Sequence, residues 1–288
     1  MPELPEVESV CRALEGDLAG RRIRSVRLFT PDVAAHPDAE TFCAALQGRT
    51  FLKLRRRGKF LIAALDDGAR LVVHLRMTGR LLLVCGTDDL ETHTRAAFLL
   101  DNGRELRFVD MRRFGRLWLL RAGEEDVFTG MANLGPEPDS PGLNAAYLRA
   151  ACGRSRRAIK TCLLDQSVVA GIGNIYSDEI LFEAGVCPDR PACSLTDAEW
   201  TRLAQCIPAV MDFFTRQNIV TAEEYRNTAG KEYRNTPWLR VYGHAGEPCP
   251  RCGTPLARIV VGGRSSVFCP ACQAAPQEDN ARADGQET

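Results

Sequence analysis

The sequence predicts an α+β, multidomain fold with a β-rich first half, a helical second half and a small metal-bound ribbon near the end. Short apolar runs separated by turn residues fill positions 23–120, and helix-compatible spacing follows a link rich in glycine and proline at 134–142. Two CxxC pairs stand between positions 249 and 272. Regularly spaced strands are typical of a sandwich or barrel, whereas apolar residues three and four positions apart indicate helices.

The composition is typical of a globular protein long enough for two domains of ordinary size. Its 288 residues are 45% hydrophobic and 26% charged, and no apolar run approaches the length of a membrane span. The first residues do not resemble a secretory signal, which begins with basic residues and continues with an apolar run. We therefore expect a cytoplasmic protein whose twelve cysteines are mainly thiols rather than disulfides.

Two stretches of the chain, 41–65 and 140–164, contain basic residues and no acidic ones. The net charge of zero argues mildly against a nucleic-acid-binding protein, but segregated basic stretches can form a positive face that binds phosphates. Solvated surface charge is the alternative. The basic residues concerned are Arg49, Lys53, Arg55, Arg56, Arg57, Lys59, Arg149, Arg154, Arg156, Arg157 and Lys160.

In the first half, one helix precedes a series of strands. The helix is predicted over 6–19, where five apolar residues form one stripe. Asp67-Gly68 and Asn102-Gly103 are hairpin turn signals between the strands that follow. The stripe consists of Val7, Val10, Cys11, Leu14 and Leu18, and the strands are predicted at 51–54, 60–65, 71–75, 81–84 and 96–100.

The second half is predicted to be helical, with a domain boundary near 135–142. Thr196 is a plausible cap for the last and longest helix. Residues 221–237, which contain the pentapeptide EYRNT twice, are interpreted as a long, polar, mobile loop of the kind that often serves as a lid. Residues 274–288 are polar and are expected to be disordered. The helices are predicted over 144–152, 158–166, 175–184 and 197–215.

Four cysteines near the C-terminus have the spacing of a zinc ribbon: Cys249, Cys252, Cys269 and Cys272. Two CxxC pairs supply four thiolates for a tetrahedral, closed site, which predicts one structural Zn²⁺ and no redox or nucleotide cofactor. A redox pair and chance are the alternatives. Between the pairs, two short strands are predicted around a Gly262-Gly263 turn, and the other eight cysteines are expected to pack as small hydrophobic residues.

The chain opens with MPELPEVE, which raises the question of its mature N-terminus. Cellular aminopeptidases usually remove an initiator methionine that precedes proline. The mature chain would then begin at Pro2, with a secondary amine beside the carboxylate of Glu3. Taken alone, this arrangement is either a processing outcome or a nucleophile next to its proton carrier.

Several motifs together resemble the formamidopyrimidine-DNA glycosylase family in content and order, nearly to Gln273. They are MPELPEVE, RRRGKFL, HLRMTGRL, DMRRFGRL, IKTCLLDQSVVAGIGNIYSDEILFEAG, VYGHAGEPCPRCGTPL and GGRSSVFCPACQ. The resemblance implies a monomer with DNA in a cleft between its domains. The implied domains are a catalytic β-sandwich flanked by helices (1–134), a hinge (135–142), a helix-two-turn-helix domain (143–238) with a lesion-capping loop (221–237), a zinc finger (239–273) and a tail (274–288).

The resemblance implies base-excision repair of duplex DNA that contains 8-oxoguanine, formamidopyrimidines or abasic sites. In the family, the N-terminal proline amine attacks C1′, expels the base and leaves an iminium, and β- and δ-elimination then cleave the strand. An α-amine has a pKa near 8, against about 10.4 for lysine, so a larger share is neutral and nucleophilic at working pH.

The resemblance also assigns catalytic roles to four residues of this sequence. Pro2 is the nucleophile and Glu3 the general acid/base. Lys59, in a Gly-Lys turn, donates a proton in β-elimination and contacts phosphate. Arg264, in the ribbon turn, binds phosphate and donates a proton in δ-elimination.

Eight further residues are expected to contact DNA. Met77, Arg112 and Phe114 match the family's intercalating trio, which fills the gap left by the extruded nucleotide, wedges the stack and pairs with the orphaned cytosine. The trio favours oxidised purines. The others match phosphate or other DNA contacts and are His74, His93, Ser155, Lys160 and Asn174.

Two alternatives are kept. One is an endonuclease VIII-like glycosylase for oxidised pyrimidines, because the 221–237 sequence differs from the family's usual Gly-Phe/Tyr-Gln pattern there. The other is a catalytically silent protein that binds damaged DNA.

Overall fold

The structure is a computed structural model that describes residues 2–228, 230 and 234–274. Met1 and the predicted disordered tail from 275 onward lie outside these residues. The described strands are Ile23–Leu28 (β1), Ala34–His36 (β2), Phe51–Arg57 (β3), Phe60–Leu65 (β4), Arg70–His74 (β5), Gly79–Cys85 (β6), Thr94–Leu100 (β7), Arg104–Asp110 (β8), Arg116–Leu120 (β9), Ala257–Val261 (β10) and Arg264–Phe268 (β11). The described α-helices are Leu4–Leu18 (α1), Ala39–Leu46 (α2), Ala145–Cys152 (α3), Ile159–Leu164 (α4), Asn174–Ala184 (α5), Asp197–Asn218 (α6) and Ala222–Asn227 (α7).

The first half is a sandwich of two sheets with α1 packed into the same core. One sheet has the strand order β1-β7-β8-β6 and the other β2-β9-β5-β4-β3. A single buried cluster draws apolar residues from both sheets and from the predicted stripe of α1. Such burial is the main favourable contribution to the stability of the domain.

The β3–β4 hairpin places Lys59 at its tip. Arg57 pairs with Phe60, and Gly58 has a φ of 55°, a left-handed conformation that favours glycine. Leu134 packs against Phe60 of β4, and a Cβ atom added at Gly58 would lie 3.4 Å from Cβ of Ala170, which belongs to the second half. The turn therefore projects toward the second half of the molecule.

The second half is a helical core built around α5, which is almost entirely buried. α6, the longest described helix, begins with a capping box between Thr196 and Glu199, as the sequence predicts. Next to this core, β10 and β11 form the predicted ribbon hairpin, and Phe182 of α5 packs into the ribbon's own small cluster. The α+β, multidomain fold class is thus confirmed.

Two predictions of local structure are wrong or incomplete. The interpretation of 221–237 as a loop fails for residues 222–227, which form α7, because Thr221 and Glu224 make a capping box that starts a helix. Residues 229 and 231–233 of that stretch lie outside the described residues. α2 was not predicted, although Asp38 caps it by accepting a hydrogen bond from Thr41 N at 3.0 Å. The domain boundaries stay a prediction.

Among the described residues, no helix is both long enough and apolar enough to cross a membrane.

Candidate active site

Glu3 lies at the junction of the two halves, where the N-terminus of α5 holds its carboxylate. Its oxygens accept hydrogen bonds from the backbone N–H groups of Gly173 (2.8 Å), Ile175 (3.0 Å) and Tyr176 (3.4 Å). The first turn of a helix attracts anions through these unpaired donors and the helix dipole. Glu3 and the neighbouring Pro2 are both buried.

Two opposing effects act on the pKa of Glu3. Burial raises it above its ordinary value, while the charge of Lys59 and the three backbone donors lower it. Burial is the largest contribution, so the pKa is raised. The carboxyl group can therefore be present in its protonated form closer to neutral pH, as a general acid requires.

Glycine is needed where α5 approaches the N-terminal segment. A Cβ atom at Gly173 would lie 2.3 Å from Cδ of Glu3, and one at Gly171 would lie 2.5 Å from a methyl carbon of Leu4. Gly171 also has a φ of 90°, which only glycine adopts readily. Gln166 fixes this turn from inside, because it accepts from Gly171 N at 3.0 Å and donates to the Ile172 carbonyl.

Lys59 reaches the same turn from the first half of the chain. Its amine donates to the Ile172 carbonyl at 2.8 Å, and only 7% of the residue is exposed. Burial lowers the pKa of Lys59, against the raising influence of Glu3. Glu137, in the predicted hinge, holds the β3–β4 turn in place by accepting from Gly58 N at 2.6 Å and from Arg57 at 2.7 Å. Sequence reasoning assigned no role to Glu137.

A cavity of about 230 Å³ opens beside Lys59. Two further cations, Arg76 and Arg264, line it together with His74 and Asn174. The Oδ1 atom of Asn174 is buried and has no hydrogen-bond partner among the described residues. Buried polar groups are nearly always paired, so an unpaired amide oxygen in this cavity indicates a place for a ligand that donates a hydrogen bond.

His74 is uncharged in this cavity. Burial, assisted by the charges of Arg76 and Lys59, lowers its pKa to about 3. Nδ1 accepts a hydrogen bond from Arg76 N at 3.0 Å, so the neutral ring carries its proton on Nε2. The ring can therefore donate one hydrogen bond to an anion without adding charge.

The predicted intercalating residues lie on two loops that share one buried carboxylate. Met77 is 37% exposed and Phe114 is 49% exposed, and the guanidinium of Arg112 lies 4.8 Å from the centre of the Phe114 ring. Asp110, which is fully buried, accepts from Thr78 in the first loop and from Gly115 N (2.8 Å) in the second. Large apolar side chains held out in water on fixed loops are suited to insertion between bases.

Three described residues other than glycine have a left-handed backbone conformation. Two lie on these loops, and the third lies just before β7, beside them. Arg76, Arg113 and His93 have φ values of 54°, 60° and 75°. Such strain tends to occur at functional sites, where the surrounding structure holds it. His93 is exposed beside Arg95, whose guanidinium lies 3.4 Å from its Nδ1.

Lys160 is placed differently from the sequence expectation. It is fully buried, and its amine bonds Asp178 at 2.7 Å and the Ser265 carbonyl at 3.0 Å. Direct contact with a phosphate is therefore not available to it in this structure. Because Asp178 also accepts from Ser266 and Val267 N, the pair anchors the ribbon hairpin to α4 and α5.

Part of each predicted basic stretch is already paired within the protein. Arg56 bonds Glu8 at 3.0 Å and also Glu137, and Arg157 bonds Asp165 at 3.2 Å. The hydroxyl of Ser155 accepts from Arg157 N at 3.2 Å. These groups stabilise the hinge and the α3–α4 turn, so they are not a continuous phosphate-binding surface.

The four predicted metal ligands converge. The sulfur atoms of Cys249, Cys252, Cys269 and Cys272 all lie within 4.8 Å of one another, with two pairs at 3.5 and 3.9 Å. Zinc–sulfur bonds of about 2.3 Å in a tetrahedron require sulfurs about 3.8 Å apart. The site therefore fits one structural Zn²⁺, and none of the twelve cysteines forms a disulfide.

Comparison with known proteins identifies the family. The formamidopyrimidine-DNA glycosylase N-terminal domain matches residues 1–117, the H2TH domain of that glycosylase matches 134–222, and a zinc finger found in FPG and IleRS matches 246–275. The formamidopyrimidine-DNA glycosylase of Desulforamulus reducens is 46% identical over 277 residues, which cover 96% of this chain and 100% of the relative. The chain belongs to the formamidopyrimidine-DNA glycosylase family. Its enzyme class, a DNA glycosylase of base-excision repair, is thereby confirmed, as is the zinc prediction.

Other members of the formamidopyrimidine-DNA glycosylase family also match nearly the whole chain. The one from Moorella thermoacetica is 48% identical over 259 residues, 90% of this chain and 94% of the relative. The Lactococcus lactis enzyme in complex with DNA containing an abasic site has a TM-score of 0.88 and 32% identity, and covers 95% of this chain and 100% of its own. The same L. lactis enzyme with DNA containing FAPY-dG has a TM-score of 0.87 at the same identity and coverage.

Proposed function

We propose that this chain excises oxidised purines from duplex DNA and then cleaves the strand at the abasic site. The observation that carries the proposal is the position of Glu3, buried at the N-terminus of α5 beside Pro2 and facing Lys59. This places a nucleophile, an acid of raised pKa and a buried amine of lowered pKa around one turn of the chain. A catalytically silent DNA-binding protein would have no need of these three groups.

The first step is base release by the amine of Pro2, after Met1 is removed. The amine nitrogen bonds to C1′, the glycosidic bond breaks with its electron pair on the base, and the base leaves with a proton. The nitrogen then loses its own proton, and opening of the sugar ring gives a cationic iminium as the C1′–O4′ bond breaks and O4′ takes a proton. Glu3 is the proton carrier of this step, because it follows Pro2 directly in the chain and its raised pKa keeps its carboxyl protonated closer to neutral pH than an exposed carboxyl.

Strand cleavage follows from the iminium, which acidifies the adjacent C2′ proton. Loss of that proton breaks the C3′–oxygen bond, and a second elimination breaks the 5′ linkage. The departing groups are phosphates, for which the cavity lined by Lys59, His74, Arg76, Asn174 and Arg264 offers cations and neutral donors.

Substrate access requires the damaged nucleotide to leave the stack. Met77 and Phe114 are exposed on fixed loops, and Arg112, stacked on Phe114, has the fork of donors that can pair with the orphaned cytosine. Capping of the extruded base by residues 221–237 belongs to the same proposal, and residues 229 and 231–233 of that stretch lie outside the described part of the chain. This arrangement suits an 8-oxoguanine or formamidopyrimidine opposite cytosine.

Oxidised pyrimidines are a second candidate substrate. The L. lactis relative, 32% identical over 95% of this chain, forms a complex with DNA containing an oxidized pyrimidine. Location and assembly belong to the same proposal: the protein acts as a monomer in the cytoplasm, and its free cysteines suit such a reducing compartment.

The test is borohydride trapping on an 8-oxoguanine:cytosine duplex, with the wild type and Pro2→Gly side by side. Reduction of the iminium should fix a covalent adduct for the wild type, and Pro2→Gly should lose most of it. An uncleavable N-terminal tag should abolish the adduct, whereas the same tag at the C-terminus should not.

The rate of base release from an 8-oxoguanine duplex, compared with the rate from a thymine glycol duplex, decides between the two substrates. Faster release of 8-oxoguanine supports the purine assignment, and faster release of thymine glycol moves the specificity to pyrimidines. Absence of an adduct on 8-oxoguanine, thymine glycol and abasic duplexes alike, with Met1 shown to be absent, would exclude the glycosylase/lyase mechanism for this chain.

A further inference from the structure

A second cavity, of about 290 Å³, is lined by the loop that carries Phe114. Its other walls are residues 30–33 and the start of β7 at Arg95. Hydrogen bonds fix these walls to one another, because the Arg95 carbonyl accepts from Phe29 N at 2.8 Å and its guanidinium donates to the Asp110 carbonyl at 2.8 Å. The cavity is therefore preformed.

Four arginines line this cavity, and we call it the arginine cavity: Arg95, Arg112, Arg113 and Arg116. Within the described part of the chain, none of them forms an ion pair with a carboxylate. The Arg116 guanidinium donates to the carbonyls of Arg113 and Gly115, at 2.9 and 2.8 Å. The Arg113 guanidinium has no hydrogen-bond partner among the described residues. The cavity therefore retains guanidinium donors for a ligand.

The two carboxylates of the lining leave an excess of positive charge, since they face four guanidinium groups. Asp110 is fully buried, and its oxygens accept from Gly115 N at 2.8 Å and from Arg112 N at 3.2 Å. Asp32 is exposed to solvent. Like charges held around one cavity repel each other, and an anion bound among them relieves that repulsion. The planar fork of guanidinium donors matches the oxygens of a phosphate group.

The arginine cavity adjoins the cavity beside Lys59. Arg116 pairs with His74 across strands β9 and β5, and His74 lines the cavity beside Lys59. The Cβ atoms of directly opposite residues on antiparallel strands lie about 4.5–5.5 Å apart. Burial, assisted by the charge of Arg116, also lowers the pKa of Arg76, which lines the cavity beside Lys59. Because phosphates repeat along each strand of DNA, a duplex held at one cavity presents further phosphates to the other.

We propose that the arginine cavity binds one backbone phosphate of the DNA, separately from the phosphates at the cavity beside Lys59. The ligand is a phosphodiester anion, held by Arg95, Arg113 and Arg116 through charge-assisted hydrogen bonds. The inference rests on the proposed function, since a chain that does not bind duplex DNA brings no phosphodiester to this cavity. A free phosphate ion has the same chemistry and is the other source of such a ligand, so the test separates the two sources.

The first measurement is the salt dependence of binding to an 8-oxoguanine:cytosine duplex, followed by fluorescence anisotropy. The full chain carries Pro2→Gly, so that the duplex stays intact during the titration. Arg95→Gln and Arg113→Gln each remove one guanidinium from the cavity, whereas Arg113→Lys keeps the charge. Melting curves establish that each protein is folded at the assay temperature.

Arg24→Gln is the matched control. Arg24 is exposed on β1, and it lies near the end of that strand that is remote from Arg95, because Leu28 pairs with Ala96 whereas Ile23 pairs with Leu100. The control therefore removes one exposed positive charge from the same sheet without touching the arginine cavity.

Arg95→Gln and Arg113→Gln should each weaken binding by about 10-fold, the loss expected for a hydrogen bond to a charged group. Each should also make the slope of log K against log salt concentration shallower by about 1. Arg113→Lys should keep the slope, and Arg24→Gln should keep both the slope and the affinity. If Arg95→Gln fails to fold, Arg113→Gln decides the question, because it removes a guanidinium that has no hydrogen-bond partner among the described residues.

A second measurement identifies the phosphate. Single phosphates of each strand are replaced in turn by neutral methylphosphonates, and binding is compared with and without Arg113→Gln. At the phosphate that the cavity binds, the two losses should not add, because each change removes the same interaction. At every other phosphate the losses should add. Competition by inorganic phosphate, at matched ionic strength, tests the free ion as the ligand.

Unchanged salt slopes in Arg95→Gln and Arg113→Gln would overturn the inference, as would full additivity of Arg113→Gln with every methylphosphonate in both strands. Inhibition by inorganic phosphate that depends on Arg113, together with such additivity, would overturn it too and assign the cavity to the free ion. A parent protein that binds no duplex would remove the proposed function along with the inference, and its own titration reveals that outcome before any variant is made.

Discussion

At the residue scale, burial alone is enough to raise the pKa of the Glu3 carboxyl. Three backbone donors and Lys59 favour its ionised form, yet complete burial outweighs them. A raised pKa brings the protonated form of the carboxyl closer to neutral pH, where a general acid/base must both give up and take up a proton.

Replacing Glu3 by glutamine keeps the shape of the side chain and removes its proton. Glu3→Gln should slow base release about 100-fold or more, within the range typical of general acid catalysis. Single-turnover kinetics on the 8-oxoguanine duplex measure the effect. Glu15→Gln, the same change farther along α1, should leave the rate unaltered; a Glu3→Gln enzyme with the wild-type rate would assign the proton transfer elsewhere.

The pH dependence of base release should carry the signature of the same residue. Because the folded pKa of Glu3 is raised, its protonated fraction falls as pH rises through that value, and the rate should fall with it on the alkaline side. In Glu3→Gln this limb should disappear. A limb that persists unchanged in the variant would assign the titration to another group.

Sequence reasoning singled out residues that belong to a recognisable motif. It missed carboxylates that hold a loop in place through hydrogen bonds formed only in the fold. The distinctive MPELPEVE and Gly-Lys motifs indicated Glu3 and Lys59. Glu137 and Asp110 were missed because a carboxylate that organises a loop has no pattern of its own. Lys160 was assigned to phosphate, since nothing in the sequence shows that Asp178 lies beside it in the fold.

At the element scale, the N-terminus of α5 is an anion site occupied by the protein's own carboxylate. The site depends on backbone atoms that approach Glu3 closely, which glycine alone permits at position 173. The GIGN sequence is thus a steric requirement as well as a family motif.

Gly173→Ala should displace the Glu3 carboxyl, because the new Cβ would lie 2.3 Å from its Cδ. We expect a destabilisation of about 1–3 kcal/mol, as for other overpacked sites, and loss of both base release and abasic-site cleavage. Gly16→Ala in α1, where no atom lies within 4 Å, should instead stabilise the protein by about 0.5–1 kcal/mol. Urea denaturation and the two cleavage assays measure both; normal activity in Gly173→Ala would contradict the proposed role of α5.

The ribbon should depend on zinc for its structure. Metal analysis of fresh protein should find about one equivalent, and Cys252→Ser should lower it and weaken DNA binding by disordering the hairpin that carries Arg264. The exposed Cys193, outside the cluster, offers the control Cys193→Ser, which should behave as the wild type. Full DNA binding by a protein with far less than one equivalent of zinc would contradict this expectation.

Elements with a strong periodic pattern were predictable, and those stabilised by tertiary contacts were not. The stripe of α1 and the five predicted strands were confirmed with small shifts at their ends, whereas β1, β2, β8 and β9 were not predicted individually. α7 was missed because its six residues are polar apart from two, and its stability comes from a capping box and from burial of Tyr225 against a distant sheet. α2 was missed for a similar reason, since Phe42 and Leu46 are the buried residues of a short helix.

At the scale of the whole molecule, charge pairing divides the basic residues into two groups. One group, exemplified by Arg56 and Arg57, neutralises Glu8 and Glu137 around the hinge. The other, which includes Arg264 and Arg76, lines the cavity beside Lys59. The zero net charge of the sequence conceals this division.

Salt dependence of DNA binding separates the two groups. Each phosphate contact contributes about −0.9 to the slope of log K against log salt concentration. Arg264→Ala should therefore make the slope shallower by about 1, whereas Arg56→Ala, at the hinge, should leave the slope unchanged. Fluorescence anisotropy with a catalytically inactive Pro2→Gly background measures both, and an equal change in the two variants would show that the hinge arginines also bind DNA.

The backbone donors that hold Glu3 come from residues at least 170 positions later in the chain. A ribosome therefore exposes the proposed nucleophile long before it has synthesised the turn that completes the acid beside it. Through most of translation the nascent chain carries an amine whose acid partner is still solvated and of ordinary strength. The environment that raises the pKa of Glu3 therefore forms only when the helical half has emerged and folded against the N-terminal segment.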